Sequence, residues 1–272
     1  MIIWLASYPK SGNTLLRSML AAYFFSKDGK YDFDLIKNIK QFPHGGLFTK
    51  LGINTNDYNE TIKHYIKAQE SFNKKDSIQF LKTHSFLFNF NKDFPFTNFN
   101  NSLGVIYIVR DPRNVITSLS KFKNMNSDKT LEFMINGSGD GLVWTNNWAK
   151  NYQSWKLFKE FKKYFLIKYE DLINNREMTF LNVLEFIYKL NKSKFELDKK
   201  KFDTVIASTS FDKMQQLEKE KGFSESWTDK QGKKIPFFNL GPKNDWKKFL
   251  DANTKYKLEK AFKKEMKELG YI

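Results

Sequence analysis

Four short stretches of the 272-residue chain concentrate the side chains able to hold an anion or move a proton: PKSGNT at 9–14, KTH at 82–84, RDPR at 110–113 and KYED at 168–171. In the first, Lys10 is followed by Ser11, Gly12, Asn13 and Thr14, directly before an apolar helical run. A helix start offers unpaired N–H groups and a partial positive charge, and glycine lets a ligand approach the backbone, so this turn suits a phosphate. Its lysine precedes its glycine, the reverse of the GxxxxGK[ST] order of an ordinary P-loop. A plain turn and helix cap accounts for Ser11 to Thr14 almost as well.

KTH places Lys82 and His84 two residues apart, hence on the same side of an extended strand. A histidine near its usual pKa can take a proton from a polarised hydroxyl, whereas a lysine at neutral pH is a cation. His84 is therefore the candidate base and Lys82 a charge stabiliser, with a capping pair at a strand end as the alternative. Arg110 and Arg113 are two of only four arginines, the others being Arg17 and Arg176, and Ser118 follows about two turns into the next helix. Guanidinium forks match phosphate oxygens, although Asp111 can neutralise one of them. His44 and His64 have no comparable setting. The chain has no cysteine and no HExxH, so neither a disulfide, a thiolate nor a dedicated metal site is expected.

These groups need elements to position them. IIWLA at 2–6, IQFLKTH at 78–84, LGVIYIVRDP at 103–112 and YFLIKYEDL at 164–172 read as strands. Helices are expected after Asn13, with Leu16, Leu20 and Phe24 on one face, after Asn114, around MTFLNVLEFIY, and near the C-terminus through Leu258, Phe262, Met266 and Leu269. Tyr58, Ile62, Tyr65 and Ile66 give another helical face. Trp144, Trp148, Tyr152, Trp155 and Phe158 form a stripe read as core, and residues 124–130 and 136–141 are expected to bracket a mobile segment. The alternation predicts one α/β domain over 1–272, with a central, mostly parallel sheet flanked by helices. Ligands of such sheets collect beyond the carboxyl ends of the strands, which here carry the four motifs.

The net charge of +16 favours an anionic partner, though most of it comes from lysines scattered along apparent helices. No zinc-finger or RNP-type pattern points to specific nucleic-acid recognition. No apolar run reaches membrane-spanning length and no export leader is visible, so a soluble, cytoplasmic protein is expected. The phenylalanines at 86, 88, 90, 94, 96 and 99 can wall an apolar acceptor pocket or pack a long excursion, and packing is preferred.

YPKSGNT at 8–14, KTH at 82–84, YIVRDPRNVITSLSKF at 107–122, YEDL at 169–172, TSFDKM at 209–214 and GPKNDWKKF at 241–249 together resemble the ordered motifs of the sulfotransferases that use 3'-phosphoadenosine 5'-phosphosulfate. The soluble, cytosolic-type branch is the nearer likeness. The resemblance implies the P-loop-nucleotide-hydrolase-like sulfotransferase fold and a donor site without metal. In that site Lys10, Ser11, Gly12, Asn13 and Thr14 hold the 5'-phosphosulfate, while Arg110, Ser118 and Gly241 lie at the 3'-phosphate. Tyr169, Thr209 and Phe211 lie near the adenine, His84 is the acceptor-side base, and Lys10 and Lys82 are catalytic cations. Two departures stand out. Leu15 replaces the family's tryptophan after the loop threonine, and Asn239 to Gly241 read NLG where the family has RKG, so that Lys243 or Arg113 would have to compensate.

The expected reaction is in-line transfer of a sulfonate group to a hydroxyl or amine of a small acceptor whose identity the sequence leaves open. The alternatives are a Mg²⁺-dependent nucleotide phosphoryl transferase, with Asp111 and Asp171 as candidate metal ligands, and a non-catalytic polyanion-binding protein.

Overall fold

The computed structural model describes residues 1–73, 77–137, 139–228, 232 and 234–272. Its centre is strand β1 (Ile2–Ser7), buried along its whole length. Continuous burial needs cover on both faces, and the alternation of the strand decides which residue meets which cover. Ile2, Trp4 and Ala6 enter one core with Leu81, Tyr107 and Trp155. Ile3 and Leu5 enter the other, with Phe80, Ile106 and Leu184. The indole N–H of Trp4, fully buried, donates to Ser102 Oγ at 2.8 Å, which meets the polar need of the large ring.

Five parallel strands make the main sheet: β1, β2 (Lys40–Gln41), β3 (Gln79–Thr83), β4 (Ser102–Val109) and β5 (Tyr164–Lys168), in spatial order β2-β3-β1-β4-β5. The register pairs Ala6 with both Thr83 and Tyr107, which brings the ends of three strands level. From β1 the chain runs through helix α1 (Asn13–Phe25) to β2 on one side. From β4 it runs through helix α2 (Pro112–Lys123) to β5 on the other. The connections therefore part between β1 and β4, and a crevice opens at their carboxyl ends. The α/β fold with a parallel sheet flanked by helices is as expected.

Several local expectations change. The chain leaves the strand conformation at Val109, because Pro112 at the first helical turn and Asp111 as cap start α2 early; the Asp111 side chain accepts from Arg113 N. YEDL likewise opens helix α3 (Tyr169–Asn174) instead of extending β5. Trp144 lies in a two-residue strand apart from the helical stripe, while Trp148, Tyr152, Trp155 and Phe158 are core. The segment expected to be mobile contains a helix, Ser127–Asn136, capped by Asn126; Ser138 within it lies outside the described residues. The 86–99 phenylalanines pack an excursion: Phe88 and Phe96 are buried in the first core, and Asn89–Phe90 pairs with Phe94–Pro95 as a small hairpin. None of the six lines the cavity that opens at the carboxyl end of β1.

Candidate active site

A cavity of about 470 Å³ opens at the β1/β4 crevice. Its floor is the turn after β1. Gly12 has φ 98°, and a Cβ there would lie 2.4 Å from Tyr169 Cδ2. The turn thus needs glycine twice over, for its backbone conformation and for contact with the tyrosine ring. Asn13 fixes the turn to the strand below, its Nδ2 donating to Leu5 O at 2.9 Å and to Ser7 Oγ at 3.1 Å. Lys10 takes a positive φ of 66°, and its Nζ lies 4.2 Å and 4.4 Å from the ring centres of Phe122 and Phe237. Two aromatic faces hold the ammonium without neutralising it. Burial, then the nearby charges of Arg110 and Lys82, lower its pKa to about 8.

Arg110, at the end of β4, bridges the crevice. Nη1 donates to Lys10 O at 3.2 Å, Nη2 to Gly241 O at 3.4 Å, and the guanidinium carbon sits 4.1 Å from the Tyr169 ring centre. Its Nε is buried with no hydrogen-bond partner. A buried guanidinium with donors left over is poised to bind an anion.

On the other side of β1, His84 follows β3. Its Nδ1 lies 2.8 Å from Ser7 O, a carbonyl that can only accept, so Nδ1 carries the proton and donates. That tautomer leaves the lone pair on Nε2. Burial, helped by the Lys82 charge, pushes the ring's pKa down to about 3, so the imidazole is neutral. Lys82 Nζ stands 3.5 Å from Glu225 Oε2, and burial lowers its pKa to about 8 against the raising effect of that carboxylate.

Glu225 has no place in the sequence-level site, yet it is the hub of this end. Oε2 accepts from Thr14 Oγ1 at 3.2 Å, and Oε1 accepts from Arg17 Nη1 at 2.5 Å. Burial alone would raise its pKa, but Lys82 and Arg17 outweigh burial and hold it at about 2. It is the only acidic residue among the described residues lining the cavity.

The far end is built by later elements. Ser118 on α2 lines it, with Asn239, Leu240 and Gly241 opposite. Gly241 lies against Phe211: a Cβ there would come within 2.1 Å of Phe211 Cε2. Tyr169, Phe211 and Leu15 contribute to the lining. Thr209 and Ser11 do not; each is fully buried behind it. Thr209 O and Oγ1 both accept from Arg176 Nη2 at 2.6 Å, and Arg176 faces the cavity in its place with Nε unpartnered. Neither expected substitute for the missing basic pair reaches this end. Arg113 is engaged with Asp111, Glu259 Oε1 at 2.8 Å, Tyr271 O and the Trp246 ring, and Lys243 is outside the lining. Lys121, three residues after Ser118, does line the cavity.

The sequence motifs thus converge, apart from Thr209 and Ser11, whose side chains stand one layer back. Arg17, Arg176 and Glu225 were missed. The arginines carried a usable signal, since the chain has four and Arg17 falls one helical turn after Thr14. Glu225 carried none, because it lies 208 residues beyond Arg17 and FSESW matches no site pattern. The carboxylates that a magnesium-dependent reading would use are misplaced: Asp111 pairs with Arg113 at 2.7 Å, Asp171 is exposed, and neither lines the cavity. Among the described residues no group of three His, Asp or Glu side chains is arranged to hold a metal ion, and no helix is long and apolar enough to cross a membrane.

Comparison with known proteins agrees with this architecture. Residues 2–270 match the family model described as the sulfotransferase domain. The amine sulfotransferase of Oryctolagus cuniculus is 23% identical over 176 residues, which is 62% of this chain and 56% of that protein. Human sulfotransferase 2A1 is 26% identical over 180 residues, 65% of this chain and 61% of that protein. The matches thus span under two thirds of the length of these relatives. The crystal structure of mouse sulfotransferase SULT7A1 complexed with PAP superposes with a TM-score of 0.61 at 18% identity, covering 97% of this chain and 83% of that one.

Proposed function

The chain belongs to the sulfotransferase family, and on that premise we propose that it transfers a sulfonate group from 3'-phosphoadenosine 5'-phosphosulfate to a hydroxyl or amine of a small acceptor. The observation that carries this reading is the His84 geometry: Nδ1–H is committed to Ser7 O, and Nε2 keeps its lone pair beside the Lys82 cation in the same cavity. The residues fit a nucleotide with two anionic ends. Gly12 lets the turn pack directly on the Tyr169 ring, Gly241 lets its segment pack directly on Phe211, and Arg110 and Arg176 line the cavity with guanidinium donors left over.

When bound, the donor supplies a sulfonate group already attached to a good leaving phosphate. In this reading the turn N–H groups of residues 11–14, with Thr14 Oγ1, Lys10 and Lys82, hold the 5' end, and Arg110 with Ser118 holds the 3'-phosphate. Tyr169 and Phe211, both in the lining, lie near the base. His84 Nε2 accepts the proton of the acceptor hydroxyl or amine as that atom bonds to sulfur. Lys10 meets the charge that grows on the departing phosphate, and Lys82 steadies the sulfonate oxygens. A ring with a pKa near 3 is a weak base in the empty site. Burial is the larger cause of that depression, and the Lys82 charge adds to it.

Titration of the purified protein with adenosine 3',5'-bisphosphate and with ATP, each with and without Mg²⁺, tests the donor. Metal-independent binding of the bisphosphate is expected, and a response confined to Mg-ATP overturns the reading. Transfer of labelled sulfonate to a panel of phenols, alcohols, amines and sugars then identifies the acceptor class.

A further inference from the structure

The carboxylate of Glu225 occupies the groups that the reading above assigns to the donor's 5' end. Its Oε2 is shared by Thr14 Oγ1 at 3.2 Å and Lys82 Nζ at 3.5 Å, while its Oε1 is held by Arg17 alone at 2.5 Å. A second anion cannot take the same Thr14 and Lys82 donors while this carboxylate remains on them, because like charges at such a separation repel strongly in a partly dry site. From this arrangement we infer that Glu225 is a built-in competitor for the 5'-phosphosulfate position: it satisfies the anion site of the empty protein and is displaced when a 5'-phosphorylated ligand enters. The inference rests on the donor reading above.

The placement is not an incidental side-chain excursion. Glu225 sits in a tight turn closed by Ser226 N donating to Phe223 O at 3.0 Å. The turn is anchored on both sides. Ser226 Oγ donates to Glu218, whose carboxylate also accepts from Phe237 N at 2.7 Å and Phe238 N at 2.9 Å, and the Phe223 ring packs 4.5 Å from Phe33. The same glutamate thus ties the turn that delivers Glu225 to the segment that holds Phe237 over Lys10. Division of the two oxygens offers a route of exchange: Oε2 can surrender Thr14 and Lys82 while Oε1 keeps Arg17, so the carboxylate need not enter water unpaired. Without any occupant, Lys82 and Arg17 would face each other as buried cations. A competitor of this kind stabilises the empty site, weakens 5'-anion binding and speeds product departure by re-entering behind it.

The test compares wild-type protein and Glu225→Gln by calorimetric titration with adenosine 3',5'-bisphosphate and with adenosine 3'-monophosphate, which lacks the 5' anion. Glu225→Gln should bind the bisphosphate about tenfold tighter or more, with a slower off-rate, and the 3'-monophosphate within twofold of wild type. Equal or weaker bisphosphate binding by a folded variant overturns the inference. If neither protein binds either nucleotide, the donor reading fails and this inference fails with it. If wild type binds the bisphosphate and the variant changes both nucleotides equally, Glu225 shapes the whole pocket and the competitor role is wrong. Inorganic sulfate gives a second readout that covers poor folding of the variant. It should raise the melting temperature of Glu225→Gln more than that of wild type, and an equal rise in both counts against the inference.

Discussion

The two ends of the cavity are built by opposite strategies. At the β1/β3 end, Thr14, Arg17 and Lys82 converge on one carboxylate, and His84 is locked by a backbone carbonyl. All four sit on or immediately after strands and helix α1, whose positions the sheet register fixes. At the far end, Arg110 alone reaches across to Gly241 O, at 3.4 Å, and the facing residues Asn239 and Leu240 bring no charge. That wall comes from a late segment tied down through Glu218 and Gln215. The contrast is one of pairing: one end holds its cations, Arg17 and Lys82, on a carboxylate of the protein itself, whereas the other lines the cavity with Arg110, Arg176 and Lys121 and, among the described residues, with no acidic side chain beside them.

Removal of His84 should break the β1/β3 end most severely. His84→Asn should lower sulfonate transfer by roughly 10²- to 10⁴-fold while adenosine 3',5'-bisphosphate binds within twofold of wild type; an equal fall in both would make the ring a structural post. The same group leaves a pH signature in the ligand-free protein. Its pKa is near 3 in the fold against an ordinary 6.5, so its contribution to stability is fully present above 6.5 and is lost as pH falls toward 3. Melting temperature against pH should therefore be flatter for His84→Asn over that window.

At the far end, Arg110→Ala should weaken bisphosphate binding about 10- to 100-fold, as expected for hydrogen bonds to a charged group. Adenosine 5'-monophosphate, which lacks the 3' anion, should lose less than threefold, and comparable losses for both would return Arg110 to a purely structural role. Gly12→Ala tests the floor between the ends. A Cβ 2.4 Å from Tyr169 together with φ 98° should cost about 1–3 kcal/mol in chemical denaturation. Tyr169→Ala in the same chain should recover the part due to the clash and not the part due to φ. The smallest effect is a gain: Asn239→Arg with Leu240→Lys should tighten bisphosphate binding about two- to fivefold, the scale of partly exposed charges, and fade with added salt.

Much of the cavity's lining was legible because its groups lie beside strands that announce themselves. PKSGNT follows a fully apolar run, and KTH and RDPR close two more, so the rule that parallel-sheet ligands gather at carboxyl ends was enough to bring Lys10, Lys82, His84 and Arg110 together. Boundaries failed where capping overrode apolar periodicity, as at Asp111–Pro112, and where YEDL turned helical at Tyr169. Thr209 failed for another reason: a helix-end threonine can turn inward to Arg176 and Val205 O, and no local pattern distinguishes that from facing a ligand.

The sequence by itself determined the strand-and-helix alternation, the order of the motifs and the chemical types available at each strand end, because these follow from periodicity and residue chemistry over short spans. Only the tertiary structure decided which nitrogen of His84 carries the proton, that Arg113 is unavailable, and that a glutamate from a distant turn stands among Thr14, Arg17 and Lys82. Each of those depends on distances between groups that are far apart along the chain, and such distances are set by packing of the whole molecule.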